Sequence, residues 1–241
     1  MLPNHIVIKI GGRPLLQAPA FDKIDTGFLR TVCTFSKSLA LATTSRLILV
    51  PGGACAHLFV EAARAFGASE SECDRIGICV TTAVGYIFLD ALKQAGADPY
   101  PALINTPEAL DDAKEHTFSV AAPGRFQAIS SDSLSALIAE HCGGTLVIVK
   151  RALGEDIREL LHSEKGSRWL AIQDLMANAI RKPARACQHP FLDILSLKII
   201  ERSRFPSSIL LRDDLARIAG ASAQEILASG IQIRLYDGSC G

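Results

Sequence analysis

Ile6-Val7-Ile8-Lys9-Ile10-Gly11-Gly12 is a short β-branched run with one lysine inside it, stopped by a double glycine. Such a run reads as a strand buried on both faces, and the glycines as the turn that ends it. Arg46-Leu47-Ile48-Leu49-Val50 followed by Pro51-Gly52-Gly53 repeats the device. Residues 28–41 and 54–66, which follow the two turns, carry helical patterns. Strand, double glycine and helix, twice in succession, predict parallel strands joined by helical crossovers.

The same reading extends outward. Residues 74–95 form a long apolar helix, and 99–123, with four prolines, short strands and surface loops. Residues 131–141 read as a helix opened by a Ser or Asp cap, and Thr145-Leu146-Val147-Ile148-Val149 as another buried strand. Residues 156–169 are polar and irregular, 170–180 helical, 181–189 a basic loop and 192–202 an amphipathic helix. Ser208-Ile209-Leu210-Leu211 and residues 231–235 supply further strands. The expectation is an α/β fold, a three-layer αβα sandwich around a central, mostly parallel sheet, with 1–241 as a single domain.

With 241 residues, 49% of them hydrophobic, the chain can bury a large core. Lys plus Arg and Asp plus Glu number 25 each, so no net field draws the protein onto nucleic acid or an anionic membrane, and any anion must be held by local groups. No apolar stretch reaches the ~18 uncharged residues expected of a membrane span. Seven scattered cysteines without a CxxC pair or a leader suggest a reduced, cytoplasmic protein without structural disulfides. Six dispersed histidines suggest no zinc site.

In a parallel α/β sheet, ligands lie beyond the carboxyl ends of the strands, which singles out Lys9, Gly11 and Gly12 at one end and Gly52 and Gly53 at another. Paired glycines let backbone N–H groups approach phosphate oxygens, and a lysine adds a cation. The alternative is that each pair is only a turn. Asp132 reads alone as a helix cap or first-turn carboxylate, and Lys198 as a solvated lysine on the outer side of a helix.

The blocks IVIKIGG, ILVPGG, AISSDSLSALIAEHCGGTLVIVK and HPFLDILSLKII, in this order, resemble the amino-acid-kinase superfamily, which includes UMP kinase, acetylglutamate kinase, isopentenyl phosphate kinase and the molybdenum storage protein. Within it, the block SSDSLSALIA and the helix at 74–92 look most like the small kinases of methanofuran synthesis, which phosphorylate an aminomethylfuran-methyl phosphate. The resemblance implies catalysis by Lys9, Asp132 and Lys198, phosphate binding by the backbone of Gly11, Gly12, Gly52 and Gly53, and nucleotide binding around Lys150, Arg151 and Gly154. It also implies ATP with Mg2+ as donor, a small phosphate substrate as partner, residues 1–123 as the acceptor half and 124–241 as the nucleotide half. Relatives assemble as dimers or hexamers; the apolar helix 74–95 fits a subunit interface, or equally a buried core helix.

The sequence departs from the family pattern at three places. Gly12-Arg13-Pro14 stands where relatives read glycine-glycine-serine, 150–156 replaces an acidic, tyrosine-bearing loop, and Arg212-Asp213 replaces an asparagine-glycine turn. Two functions follow as expectations: an ATP-dependent kinase acting on a phosphomonoester, the furan-methyl phosphate type being the sharpest form, or a kinase-fold protein that binds or stores nucleotide or oxyanion without transfer. Replacement of Lys9 or Asp132 is expected to cost activity more than stability.

Overall fold

A computed structural model describes residues 4–124, 129–164, 167–181, 191–215, 217–218 and 223–235. Strand β1 (His5–Ile10) lies inside the sheet, in parallel with β2 (Arg46–Pro51) on one side and β5 (Thr145–Lys150) on the other. Its register sets Lys9 beside Val50 and Ile148. Beyond β2 come β4 (Phe118–Ala121) and the edge strand β3 (Pro99–Ile104), both parallel. Beyond β5 lies β8 (Ser207–Leu211), also parallel.

There the polarity changes. Strand β9 (Ile231–Arg234) runs antiparallel to β8, and β7 (Ser167–Ala171) runs parallel to β9. The edge strand β6 (Leu161–Glu164) is antiparallel to β7. The nine strands therefore form one mixed, mostly parallel sheet in the order β3-β4-β2-β1-β5-β8-β9-β7-β6.

Helices cover both faces. Helix α1 (Thr26–Thr43) is capped by Asp25, whose side chain accepts from Phe28 N at 3.0 Å, and it buries Phe28, Val32, Phe35 and Leu39. Helix α2 (Ala56–Ala65) follows the second glycine turn and packs on α3 (Glu70–Gln94). Together α1 and α3 cover the Ile6, Ile8 and Ile10 side of β1. Helices α5 (Ser131–Cys142), α7 (Ile172–Ile180) and α8 (Ile194–Ser203) cover the Val7 side. Each isoleucine or leucine so enclosed contributes roughly 1.5–3 kcal/mol.

Four stretches differ from the sequence expectation. Helix α3 begins at Glu70, earlier than expected, because Ser69 and Glu72 form a reciprocal capping box. Residues expected to be irregular at 156–169 contain the short helix α6 (Glu155–Arg158) and the β6–β7 hairpin, and a further helix, α4 (Pro107–Asp112), starts on a proline behind Thr106. Helix α9 (Ala223–Ser229) was not foreseen, and most of the basic loop at 181–189 lies outside the described residues.

Helix α3 is also a correction on hydropathy. It is the single described helix long and apolar enough to cross a bilayer, with a window of mean hydropathy 1.5 that is 33% buried. Its buried residues, Cys73, Thr81, Val84, Gly85, Phe88, Leu89 and Leu92, face the sheet and neighbouring helices, while Tyr86 and Ile87 remain exposed.

Candidate active site

The carboxyl ends of β1, β2, β5 and β8 meet the amino ends of α5 and α8. Lys9 lies deep at this meeting, 4% exposed, and pairs with Asp132 Oδ1. Lys150, the last residue of β5, approaches Asp132 Oδ2 at 3.5 Å. One buried carboxylate thus stands between two lysines. Burial drives the Lys150 ammonium down to about 8; Asp132 opposes that fall, while Lys9 adds to it.

Asp132 is not the cap of α5; Ser130 is, its hydroxyl accepting from Ser133 N at 3.0 Å. The alternative reading of Asp132 as the cap therefore gives way to a first-turn carboxylate turned toward the lysines. The cap is itself braced. Asp193, which caps α8 by accepting from Ser196 N at 2.9 Å, also accepts from the hydroxyls of Ser130 and Ser133. Phe191, just before it, receives the Lys150 ammonium on its carbonyl oxygen and presents its ring 5.1 Å away.

The glycines divide into two pairs with different duties. Gly11 N donates to Val149 O at 2.9 Å and Gly52 N to Ile10 O at 2.7 Å, so neither N–H is open to a phosphate. This corrects the expectation that all four would bind phosphate. Their absence of a side chain serves packing: a Cβ on Gly52 would lie 2.7 Å from Gly12 N, so the two turns nest against one another. Gly12 and Gly53 are half-buried, and neither N–H has an acceptor among the described residues. A Cβ on Gly12 would lie 2.9 Å from Ala54 N, and one on Gly53 2.8 Å from Thr81 Oγ1, so both positions exclude any larger residue.

The remaining expected residues lie elsewhere. Lys198 is exposed on α8, and the second cation on Asp132 is Lys150 instead. Arg151 turns back to donate to Leu16 O at 2.9 Å and covers the Phe21 ring. Gly154 caps α6 through its carbonyl, which accepts from Ile157 N and Arg158 N. Sequence reasoning missed Asp193, Ser130 and Ser133. The signal was present in Asp193-Ile194-Leu195-Ser196, an acidic cap ahead of an apolar helical run.

A hollow of about 300 Å3 opens between α3 and the ends of β3 and β4, with Thr82, Tyr86 and Asn105 in its wall. Another of about 370 Å3, beside His162 and Asp174, adjoins the carboxyl end of β7, where the sheet runs the opposite way. No group of three or more metal-ligating side chains occurs among the described residues.

Comparison with known proteins starts from this geometry. The uridylate kinase of Archaeoglobus fulgidus is 30% identical over 168 residues, covering 68% of this chain and 74% of the relative. The chain belongs to the amino-acid-kinase superfamily. A second superfamily member, the uridylate kinase of Methanothrix thermoacetophila, is 29% identical over 192 residues, covering 76% and 83%. The crystal structure of the Archaeoglobus fulgidus enzyme shares the fold with a TM-score of 0.68 at 20% identity over 95% of this chain and 99% of that one. The UMP kinase of Ureaplasma parvum gives 0.70 at 14% identity over 96% and 99%. No protein-family model matches the chain.

Proposed function

We propose that this protein is an ATP-dependent kinase that transfers the γ-phosphoryl group to a phosphomonoester. The observation that carries the reading is the Lys9–Asp132–Lys150 group, two ammoniums held by one carboxylate. Lys9 and Lys150 set two ammoniums on Asp132, with the Asp193 carboxylate also acting on Lys150, and the pair of cations suits an anion. Phosphoryl transfer asks little covalent chemistry of a protein; it needs alignment and neutralisation of charge on the transferred oxygens. Lys9 and Lys150 supply the charge, Gly12 N–H and Gly53 N–H supply directed donors, and Asp132 fixes both lysines.

Magnesium enters as part of the donor, MgATP. Asp132 is already shared by two lysines and no group of three or more metal-ligating side chains occurs among the described residues, which suits an ion carried mainly by substrate phosphates. Residues 124–241 form the nucleotide half and 1–123 the acceptor half, with the hollow beside Thr82, Tyr86 and Asn105 receiving the organic part of the acceptor. The relatives' names point to UMP as that acceptor. The likeness of the SSDSLSALIA block points to an aminomethylfuran-methyl phosphate. The exposed Tyr86 and Ile87 of α3 are proposed as part of a contact between copies of the chain.

The second reading, oxyanion binding without transfer, draws support from Arg151, which is tied to Leu16 O instead of facing the site. A coupled assay of ADP release with MgATP and either UMP or the furan phosphate decides between the readings. Turnover with one acceptor and not the other names the substrate. Ligand-induced stabilisation without ADP release from either would overturn the kinase reading in favour of storage.

A further inference from the structure

We infer that Arg212 is a positioning residue that holds the Gly11–Gly12 turn in its phosphate-facing shape, an inference that rests on the kinase reading. Gly12 caps a short 3-10 turn, Arg13–Leu15, in which Pro14 occupies the start that proline suits. Gly12 O and Arg13 O accept from Leu15 N and Leu16 N, and Leu15 O accepts from Asp25 N, so Pro14 O and Leu16 O are left to be met by side chains. Arg212 Nη1 donates to Pro14 O at 2.8 Å and approaches Leu16 O at 3.3 Å, and Arg151 Nη1 donates to the same Leu16 O at 2.9 Å.

Arg212 is in turn fixed on two sides. Its other nitrogen pairs with the Asp25 carboxylate, and its plane lies 4.4 Å from the Phe28 ring. Arg212 holds the Asp25 carboxyl below its ordinary range, and Asp25 also caps α1. An antiparallel bridge between Leu16 and Ile24 closes the segment on itself. Two arginines at the ends of β5 and β8 therefore fasten the chain that leaves β1.

Pro14, Arg151 and Arg212, far apart in sequence, meet in this one network. The open Gly12 N–H can only point steadily if the turn behind it is held. A guanidinium meets two carbonyls, a carboxylate and an aromatic face at once; a lysine ammonium, a compact point charge, does not.

The test compares wild type with Arg212→Ala, Arg212→Gln and Arg212→Lys, each checked for folding by its melting curve. Calorimetry measures affinity for tripolyphosphate, and steady-state kinetics measure ATP-dependent phosphorylation of UMP. Loss of the brace weakens tripolyphosphate binding about tenfold. It lowers kcat about 10²-fold, with KM for UMP within about twofold. Millimolar guanidinium restores part of kcat in Arg212→Ala, whereas equal sodium chloride does not, and Arg212→Lys stays impaired. Equal tripolyphosphate affinity in wild type and folded variants overturns the brace, as does a loss that guanidinium leaves unchanged. Wild type that binds tripolyphosphate in a brace-dependent way yet phosphorylates no monoester overturns the kinase reading and supports the brace. Absence of tripolyphosphate binding by wild type overturns both.

Discussion

Lys150 Nζ lies 3.5 Å from Asp132 Oδ2 while Lys9 holds Oδ1, so the two ammoniums share one carboxylate from opposite sides. With Lys150 lowered to about 8, largely by burial, its charge titrates within reach of ordinary assays. The value of kcat/KM should fall as pH rises through about 8, because neutral Lys150 no longer offsets phosphoryl charge. Bound phosphate favours the charged form, so kcat should fall at a higher pH than kcat/KM. Lys150→Arg should abolish the descending limb. For stability the sign is the same as that of a paired carboxylate, since in both the folded value is the lower one. The folded value lies below 10.5, so the unfolded chain binds more protons between about 8 and 10.5, and this lysine makes the native state gain stability as pH rises through that window. A kcat/KM profile flat to pH 9 removes the Lys150 charge from the reaction.

Burial of the group changes the expectation that Lys9 and Asp132 matter to activity alone. Asp132→Asn leaves two lysines facing each other at 5% and 14% side-chain exposure, and should destabilise by about 3–5 kcal/mol as well as stop transfer. Lys9→Met keeps most of the stem in place and should lower kcat by about 10²-fold or more with a smaller stability loss. Denaturant unfolding alongside kinetics checks both. Full activity in Lys9→Met excludes this lysine from catalysis.

Gly52→Ala should be damaging although Gly52 touches no ligand. Its new methyl would meet backbone atoms of Gly11 and Gly12 at 2.7–3.2 Å, and backbone cannot step aside cheaply. A cost of roughly 1–3 kcal/mol and a rise in the KM for ATP are expected, since the two turns move apart. At Gly154 the only close atoms belong to the Asp156 side chain, which can swing, so Gly154→Ala should leave the unfolding midpoint nearly unchanged.

Nucleotide affinity should depend on the number of phosphates more than on the base. Lys9, Lys150 and the N–H groups of Gly12 and Gly53 gather at the strand ends, and the loop after β5 contributes Arg151 to the chain's own backbone. Calorimetry with ATP, GTP, ADP and AMP in magnesium tests this. Tight ATP binding with rejection of GTP would refute it.

Among the described cysteines, Cys33, Cys55, Cys73, Cys79 and Cys142 are unpaired, and they differ in burial. Burial pushes the Cys33 thiol up to about 11, while Cys79 is exposed on α3. Native alkylation should therefore mark Cys79 first and Cys33 only on unfolding. Mass spectrometry after denaturation should count seven modified sites; a consistently protected pair contradicts a fully reduced protein.

The parallel half of the sheet was legible in the sequence because β1, β2 and β5 are short, mostly apolar runs, two of them ended by a double glycine, as strands buried on both faces are. The hairpin of β6 and β7 was not, because Leu161-His162-Ser163-Glu164 mixes polar residues in an edge strand that meets solvent. Lys9 and Asp132 were legible because charged residues at strand and helix ends stand out against apolar neighbours. The resemblance gives Lys150 to nucleotide binding and Lys198 to catalysis as a second cation, whereas in the structure it is Lys150, not Lys198, that stands beside Asp132. Residue 150 ends a strand pointing into the site, while residue 198 lies on the outer side of its helix.

Strand β1 pairs with β5 from Ile6 opposite Thr145 onward, so the partners of the chain's early strand are made late in synthesis. A nascent chain that has not yet emitted β5 and α5 holds Lys9 without Asp132 and presents an open edge of Ile6, Val7 and Ile8 to the ribosome's surroundings. Contacts so distant in sequence close slowly, and the charged group forms with them. Phosphate ligands, which recognise that completed group, should therefore act mainly by slowing the unfolding of finished molecules and leave the rate of folding almost untouched.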